Sequence, residues 1–344
     1  MAHKYKAAII GCGNIGCFLD VYGVGYPLTH LACYLSSPSV TITAVSDLDL
    51  ARAQKAASGR KIRAYSDTKE LLSAEKPDIV SICTPDADHF DTFKQVASFP
   101  SVKGIWCEKP IAINVAQGEE MVQLAKDNGI ALVVNYIRRY QSFYQSIKKE
   151  MNTLLGEIRR ITCYYSGGIT TNGSHLIDLL HYFFGRCESV SARKENSDYI
   201  AKLSFGSFDA EFFPIDAFSI LEMDIIGSQG RLDLIFRPFY EPDYRYHPLV
   251  KNSKTNLYYL SDKPTPLPLL FDRKFFSLAL SDLVRAIEEK SAPISPGESA
   301  LFSVQVLSAI SSSATQKSKE ISLSSNLRQI PIPVSGGEIK KWKN

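Results

Sequence analysis

No run of apolar residues in this 344-residue chain approaches the roughly 18 to 20 that a membrane-spanning helix needs, so no membrane partner is expected. Excess charge is missing as well: 39 Lys and Arg stand against 36 Asp and Glu, and the bases are scattered rather than gathered into a stripe. A nucleic-acid surface, which needs such a stripe, is not expected. The seven cysteines (Cys12, Cys17, Cys33, Cys83, Cys107, Cys163 and Cys187) form no CxxC pair and lie in apolar contexts. They read as reduced thiols of a cytoplasmic protein. No His, Cys and carboxylate cluster has metal-ligand spacing and no GxSxG elbow occurs, so neither a metal nor a serine nucleophile is expected. The opening MAHKYKAAIIGCG is broken by Gly11 and Gly13 too early for a signal peptide. What is present, 45% hydrophobic and 22% charged residues, suits a globular chain of about two domains.

From about residue 4 to 136, short apolar runs alternate with helical ones: YKAAIIG, VTITAVSD, KIRAY, DIVSICTP, GIWCEKP and IALVVNY. Apolar strands joined by crossover helices predict an α/β domain with a doubly wound parallel sheet. One such helix, NVAQGEEMVQLAKDNG, opens on a capping box with Asn114 as cap and closes at Gly129. Over 137–344 the grammar changes to a helix, a strand, the helix SHLIDLLHYFFG and then strands in succession. That order predicts an α+β domain with a mostly antiparallel sheet. Two late helices follow, FFSLALSDLVRAIEEK and one announced by SPGE, with Ser295 as cap and Glu298 closing its box.

AAIIGCGNIG is a strand followed by Gly11, Cys12, Gly13, Asn14, Ile15 and Gly16 in the spacing GxGxxG. Gly11 makes the tight turn, Gly13 lets backbone approach a pyrophosphate, and Gly16 allows close helix packing, with N–H groups at the helix start facing the anion. The acid that holds the adenosine ribose is expected about 20 residues further on. Asp47, at the end of VTITAVSD, lies 31 positions past Gly16. The surplus has a source in FLDVYGVGYPL (Phe18 to Leu28), whose glycines and proline read as an inserted loop. Asp47 favours NAD by repelling a 2′-phosphate, and Arg52 nearby leaves NADP open.

Ligands of open parallel sheets bind outside the carboxyl ends of the strands, where CTPD and CEKP fall. Thr84 and Pro85 then border the nicotinamide, and Lys109, between Glu108 and Pro110, can donate to a substrate oxygen. Buried lysine is costly unless compensated, and cofactor, solvent and substrate oxygens supply the compensation.

Taken together, GCGNIG, SICTPDADH, EKP, NYIRRY, HLIDLLHYFFG and IIGSQGRLDL make the chain resemble the Gfo/Idh/MocA family of glucose-fructose oxidoreductase and inositol dehydrogenase. The resemblance implies NAD(P)-dependent hydride transfer to or from a sugar, polyol or nucleotide-sugar, a cis Lys109–Pro110 peptide, and a homodimer or homotetramer formed through the second domain's sheet. It matches the family's catalytic histidine to His175. The residues agree: Leu176, Leu179, Leu180 and Phe183 form an apolar stripe while His175, Asp178 and Tyr182 share another face. In the first turn the helix dipole disfavours imidazolium, leaving a neutral ring that can take a proton. Asp178 orients that ring or holds the helix; His181 reads as structural. Where inositol dehydrogenases carry an aspartate, this chain has Thr171 followed by Asn172, which points away from inositol.

Lys109 and His175 are thus the catalytic candidates, Lys109, Arg139, Asn172, His175 and Asp178 the substrate-binding ones, and the cofactor-binding set extends from the glycine loop and Asp47 to Thr84, Pro85, His89, Glu108, Lys109 and Pro110. His30 and His89 read as packing or capping residues, with His89 at the edge of the cofactor-binding set. Arg138 and Arg139 grip a substrate anion or form a structural ion pair. FRPFYEPDYRYHP (Phe236 to Pro248) reads as a loop over substrate, a subunit contact or plain surface. Two other functions remain open on the same fold: a dinucleotide-binding regulator without turnover, and an NAD-dependent glycosidase.

Overall fold

The computed structural model describes residues 5–22, 25–237 and 242–333. The chain divides into two compact units, one running through Tyr140 and including Arg273–Leu301, the other made of Gln141–Asp272 and the residues from Phe302 on.

In the first unit, β1 (Tyr5–Ile10), α1 (His30–Ser36), β2 (Val40–Ser46), α2 (Leu50–Ala57), β3 (Arg63–Tyr65), α3 (Thr68–Glu75), β4 (Ile79–Ile82), α4 (His89–Ala97), β5 (Gly104–Cys107), α5 (Val115–Asp127) and β6 (Ala131–Val134) follow one another. The six strands form a parallel sheet in the order β3-β2-β1-β4-β5-β6. Order reverses between β1 and β4, the place where such sheets bind ligands. Every residue of β4 and β5 is buried, as a sheet covered on both faces requires. Asn114 accepts from the Gln117 N–H at 2.9 Å, and Gly129 takes φ +61°, so α5 begins and ends as its sequence indicates.

The boundary expected at residue 136 needs correction, because α8 (Phe275–Glu289) returns to this unit. It packs on β5, where a Cβ on Gly104 would meet Ile287 Cδ1 at 2.7 Å, and Phe276, Ala279, Leu280 and Leu283 join the core. A parallel sheet with an uncovered face recruits the apolar helix wherever it stands in the chain. The SPGE box is also corrected. The Ser295 hydroxyl donates to Val134 O at 2.7 Å instead of capping, and Val134 N–H donates to Ser295 O. The segment bridges the edge of β6 before α9 (Gly297–Thr315) starts. Glu298 pairs with Lys126 at 2.9 Å.

The second unit holds α6 (Ser142–Leu155), β7 (Ile158–Tyr165), α7 (Ser174–Phe184), β8 (Ser189–Glu195), β9 (Asp198–Ser204), β10 (Asp209–Pro214), β11 (Leu221–Gly227), β12 (Gly230–Ile235), β13 (Asp243–Lys251), β14 (Tyr258–Leu260), the part of α9 from Phe302 on, and β15 (Ile321–Ser322). Its sheet runs β14-β13-β12-β11-β7-β10-β9-β8-β15, antiparallel except for β10 against β7. Strand residues alternate: Ile161, Cys163, Phe212, Met223 and Leu234 are buried, while Arg160–Glu211 and Arg231–Asp224 pair between strands. Of the loop expected over 236–248, residues 243–248 are strand, paired with β12. Residues 238–241 lie outside the described part. The basic and aromatic alternation YRYH was a period-2 signal, masked by Pro242 and Pro248. No described helix is long and apolar enough to cross a membrane.

Candidate functional site

The glycine loop leaves β1 with Gly11 at φ +95°, its N–H donating to Ser46 O at 2.8 Å. A Cβ on Gly11 would stand 2.5 Å from the Cys83 carbonyl, and one on Gly16 would stand 2.4 Å from Gly11 O. Both glycines are demanded by chain packing. A Cβ on Gly13 would meet nothing within 4 Å, so that residue leaves open space where backbone can approach a pyrophosphate. Asn14, Ile15 and Gly16 start a π-helical turn (Asn14–Phe18), followed by a 3-10 turn to Tyr22. The regular helix expected directly after the loop resumes only at α1. Asp20 ties the excursion closed, accepting from Leu28 N at 2.6 Å and from the hydroxyl of Thr29, which caps α1. The inserted-loop reading of Phe18–Leu28 therefore accounts for the long interval to Asp47; Gly23 and Val24 lie outside the described residues.

Asp47 sits against the glycine loop. Its Oδ2 accepts from Cys12 N–H at 2.8 Å; its Oδ1 accepts from Asp49 N–H at 2.9 Å and lies 3.5 Å from Arg52 Nη1. The carboxylate therefore braces the loop as well as marking the end of β2. Beside it opens a pocket of about 600 Å³ lined by Cys12, Gly13, Asn14, Phe18, Arg52 and Lys55 among others, with room for the adenosine end of a dinucleotide.

Across the strand-order switch, Thr84 and Pro85 leave β4, and Glu108, Lys109 and Pro110 leave the neighbouring β5. The Lys109–Pro110 peptide is cis. Thr84 Oγ1 is buried without a hydrogen-bond partner, an orphaned polar atom that fits a site awaiting a polar ligand. Glu108 anchors the motif from beneath: it accepts from His30 Nε2 at 3.0 Å and from Asn135 Nδ2 at 2.6 Å. Asn135 accepts in turn from Trp106 Nε1 at 3.1 Å, and Ser81 Oγ links His30 Nδ1 to the Tyr34 hydroxyl. Burial pushes the Glu108 carboxyl up, but the His30 and Asn135 hydrogen bonds and the Lys109 charge outweigh it and hold it below the usual carboxylate range. Burial lowers the Lys109 ammonium from an ordinary lysine value, with Glu108 and Asp86 opposing and Arg138 adding to the shift.

His30, read from sequence as packing or capping, thus serves as the buried partner of the EKP acid, and Asn135 was missed. The signal for both was present: a carboxylate at the end of a buried strand requires donors. His89 is wholly buried rather than lining the crevice, with its ring nitrogens against Pro110 O and Thr84 O. Arg139 is buried and donates to Ile294 O at 3.4 Å.

In the second unit, Gly167 and Gly168 at φ +76° and +96° turn the chain from β7 into a π-helical turn (Ile169–Gly173) that runs directly into α7. Asp198 holds this turn: its Oδ1 accepts from Ile169 N–H at 3.1 Å and from the Tyr165 hydroxyl at 2.9 Å. No sequence signal had marked Asp198. Asn172 donates to Ser166 O at 2.6 Å, so its amide nitrogen stabilises the turn. His175 is half-buried and Asp178 buried. The buried stripe is Leu176, Ile177, Leu179 and Leu180, with Phe183 only half-buried. Because the π-helical turn precedes α7 without a break, His175 lies beyond the first helical turn, and the dipole argument for its neutrality loses force. His181 packs on Phe302, ring centroids 4.4 Å apart, in keeping with a structural role.

A strand-order switch, a glycine loop with one open glycine and an acid at the end of β2 together define the dinucleotide-binding class of doubly wound domains. Residues 5–136 match the model of the Gfo/Idh/MocA family, described as an oxidoreductase family with an NAD-binding Rossmann fold. The chain is similar to this family over those residues, its nucleotide-binding part. It is 27% identical over 236 residues to D-glucoside 3-dehydrogenase of Escherichia coli K12, which covers 61% of this chain and 64% of that protein. It is 31% identical over 156 residues to inositol 2-dehydrogenase of Salmonella typhimurium, covering 44% of this chain and 42% of that one. The chain thus spans less than two thirds of the length of either curated relative. The solved structure of the WlbA dehydrogenase from Bordetella pertussis, in complex with NADH and UDP-GlcNAcA, shares the fold at a TM-score of 0.73 and 18% identity, covering 97% of this chain and 99% of that one.

Proposed function

We propose that this protein is an NAD(P)-dependent oxidoreductase that interconverts a hydroxyl and a keto carbon on a sugar, polyol or nucleotide-sugar. The observation that carries the proposal is the placement of Lys109, beside the cis peptide at the carboxyl end of β5, across the switch point from a glycine loop with open space at Gly13. The sugar and polyol dehydrogenases among the relatives support the substrate class. Gly11, Gly13, Asn14, Ile15, Gly16 and Asp47 would hold the dinucleotide, with Thr84, Pro85, Glu108 and Pro110 shaping its nicotinamide end. NAD, when bound, supplies the hydride acceptor.

In this reading the Lys109 ammonium donates a hydrogen bond to the reacting hydroxyl oxygen and stabilises the developing alkoxide. His175 takes the hydroxyl proton as the C–H electron pair departs and returns it in the reverse direction. Asp178 orients the imidazole, and Asn172 and Arg139 complete the substrate set. We place the enzyme in the cytoplasm, where its seven buried, unpaired cysteines stay reduced, and expect a homodimer or homotetramer. The test is an absorbance screen for NADH or NADPH formation with polyols, aldoses and UDP-sugars, with Lys109→Ala and His175→Ala as controls. Turnover that survives both substitutions overturns the roles. Cofactor binding without net turnover on any sugar returns the choice to a regulator or a transiently oxidising glycosidase.

A further inference from the structure

His89 opens α4 with its ring enclosed between the two turns that flank the crevice. Its Nδ1 lies 2.7 Å from the carbonyl oxygen of Pro110 and its Nε2 lies 3.0 Å from that of Thr84. Carbonyl oxygens only accept, and a neutral imidazole has a single N–H to give. A ring that makes both bonds is therefore an imidazolium. His30 offers the contrast: its Nε2 faces the Glu108 carboxylate while its Nδ1 faces the Ser81 hydroxyl, which can donate, so one N–H satisfies both sides. The charged groups around His89 are Asp86 and Asp88 on the preceding turn, Asp91 and Lys94 paired on its own helix, and Glu108 and Lys109 on the strand end that it reaches. His89 opens α4, where the helix dipole opposes a cation, so the case rests on the two carbonyl acceptors that its ring faces.

We propose that His89 is a positioning residue: as an imidazolium it clamps the Thr84–Pro85 turn to the Lys109–Pro110 turn and so sets the width of the slot for the nicotinamide end of the dinucleotide. The inference rests on the reading that this crevice binds NAD(P). Loss of the proton would leave a ring lone pair facing a carbonyl oxygen, replacing one tie with a repulsion. The slot should loosen as pH rises, and NAD affinity should fall with it.

The experiment is a pH titration of the histidine ring nitrogens by ¹⁵N NMR on the full chain, paired with NAD titrations of the wild type and His89→Gln at both ends of the range from about pH 5 to 8. His89 is assigned by the signal missing in His89→Gln. If that variant does not fold, it is assigned by elimination with variants of the other five histidines, His3, His30, His175, His181 and His247. The proposal expects both His89 nitrogens to carry protons at the acidic end. It also expects wild-type NAD affinity to drop roughly threefold to tenfold on losing that state, the worth of one hydrogen bond, and affinity to become independent of this titration in His89→Gln. A single neutral tautomer across the whole range overturns the clamp, as does wild-type affinity and pH dependence retained in His89→Gln. Wild-type protein that binds no NAD at any pH sinks the functional reading instead, and the ring spectrum then still decides the protonation claim.

Discussion

In the first unit the candidate site is shaped by backbone: Gly11 and Gly16 are fixed by close approaches of 2.5 and 2.4 Å to main-chain atoms, and Asp47 is tied to the N–H of Cys12. In the second, the turn that leads to His175 is held by side chains, Asp198 on Ile169 N–H and Asn172 on Ser166 O. A backbone-shaped site tolerates almost no substitution and leaves a fixed spacing in the sequence. A site held by side chains can be built from many residue pairs and leaves none. The same contrast separates what each region would contribute in the proposed function: one a grip on a cofactor of constant shape, the other contacts to a substrate.

The largest expected effects come from the two proposed catalytic residues, one per unit. Lys109→Met and His175→Gln should each lower turnover by about 10² to 10⁴ while leaving NAD affinity near wild type, as measured by steady-state kinetics and cofactor titration. The two differ in stability. The folded-state value of Lys109 is lowered, so the unfolded chain binds more protons between that value and the ordinary 10.5, and stability rises with pH through that window. Below the window the burial penalty of the ammonium is fully present. Lys109→Met removes it, so its melting temperature at neutral pH should equal or exceed that of the wild type and show no rise towards alkaline pH. A clear destabilisation would mean that the lysine is structural.

Gly11→Ala and Gly13→Ala divide fold from cofactor within one loop. Alanine at 11 needs φ +95° and a Cβ inside the Cys83 main chain, so it should cost more than about 3 kcal/mol in thermal or denaturant unfolding. Alanine at 13 meets nothing in the protein and should leave the melting temperature unchanged while weakening NAD by about tenfold or more. Equal loss of stability at both positions would remove the case that Gly13 is kept for a ligand.

These pairs also explain what could be read in advance. The parallel sheet, the capped α5, the glycine loop and Asp47 were legible because each depends on local spacing or on a residue type that only one backbone geometry demands. The Phe18–Leu28 excursion was legible by its glycines and proline. What escaped depends on tertiary demand. α8 joins the first unit because β5 and β6 need a cover, Ser295 gives up its cap to bridge β6, and Asp198 reaches the turn before α7 from a strand far along the chain. Nothing in a window of ten residues around these positions encodes the partner.

Glu108→Gln tests the support beneath the EKP motif, with an intermediate effect. The folded-state value of Glu108 is depressed, so its contribution is present above the ordinary 4.5 and is lost as pH falls through the folded value. The substitution should cost roughly 1 to 3 kcal/mol at neutral pH, because it removes the charge that His30 and Asn135 stabilise and sets an amide NH₂ where Oε2 accepts from the Lys109 N–H. It should also flatten the acid limb of the stability curve. An unchanged acid limb would show that Glu108 is not the group whose charge the buried network stabilises.

The smallest effect is expected where the second unit's scaffold depends on a single atom. Tyr165, Ile169 and Tyr199 all direct their donors at Asp198 Oδ1. Burial raises the Asp198 carboxyl above its ordinary range, a cost on its charged form that the Tyr165, Ile169 and Tyr199 donors partly offset. Asp198→Asn keeps an oxygen at that position without the buried charge and should change stability by less than about 0.5 kcal/mol. Asp198→Ala orphans the Ile169 N–H and should cost about 1 to 3 kcal/mol. It should also lower kcat several-fold through the loosened approach to His175, with NAD affinity untouched. If Asp198→Asn proves as damaging as Asp198→Ala, the turn is held by charge rather than by acceptor geometry, and the account of the second unit as a hydrogen-bonded scaffold has to be replaced by an electrostatic one.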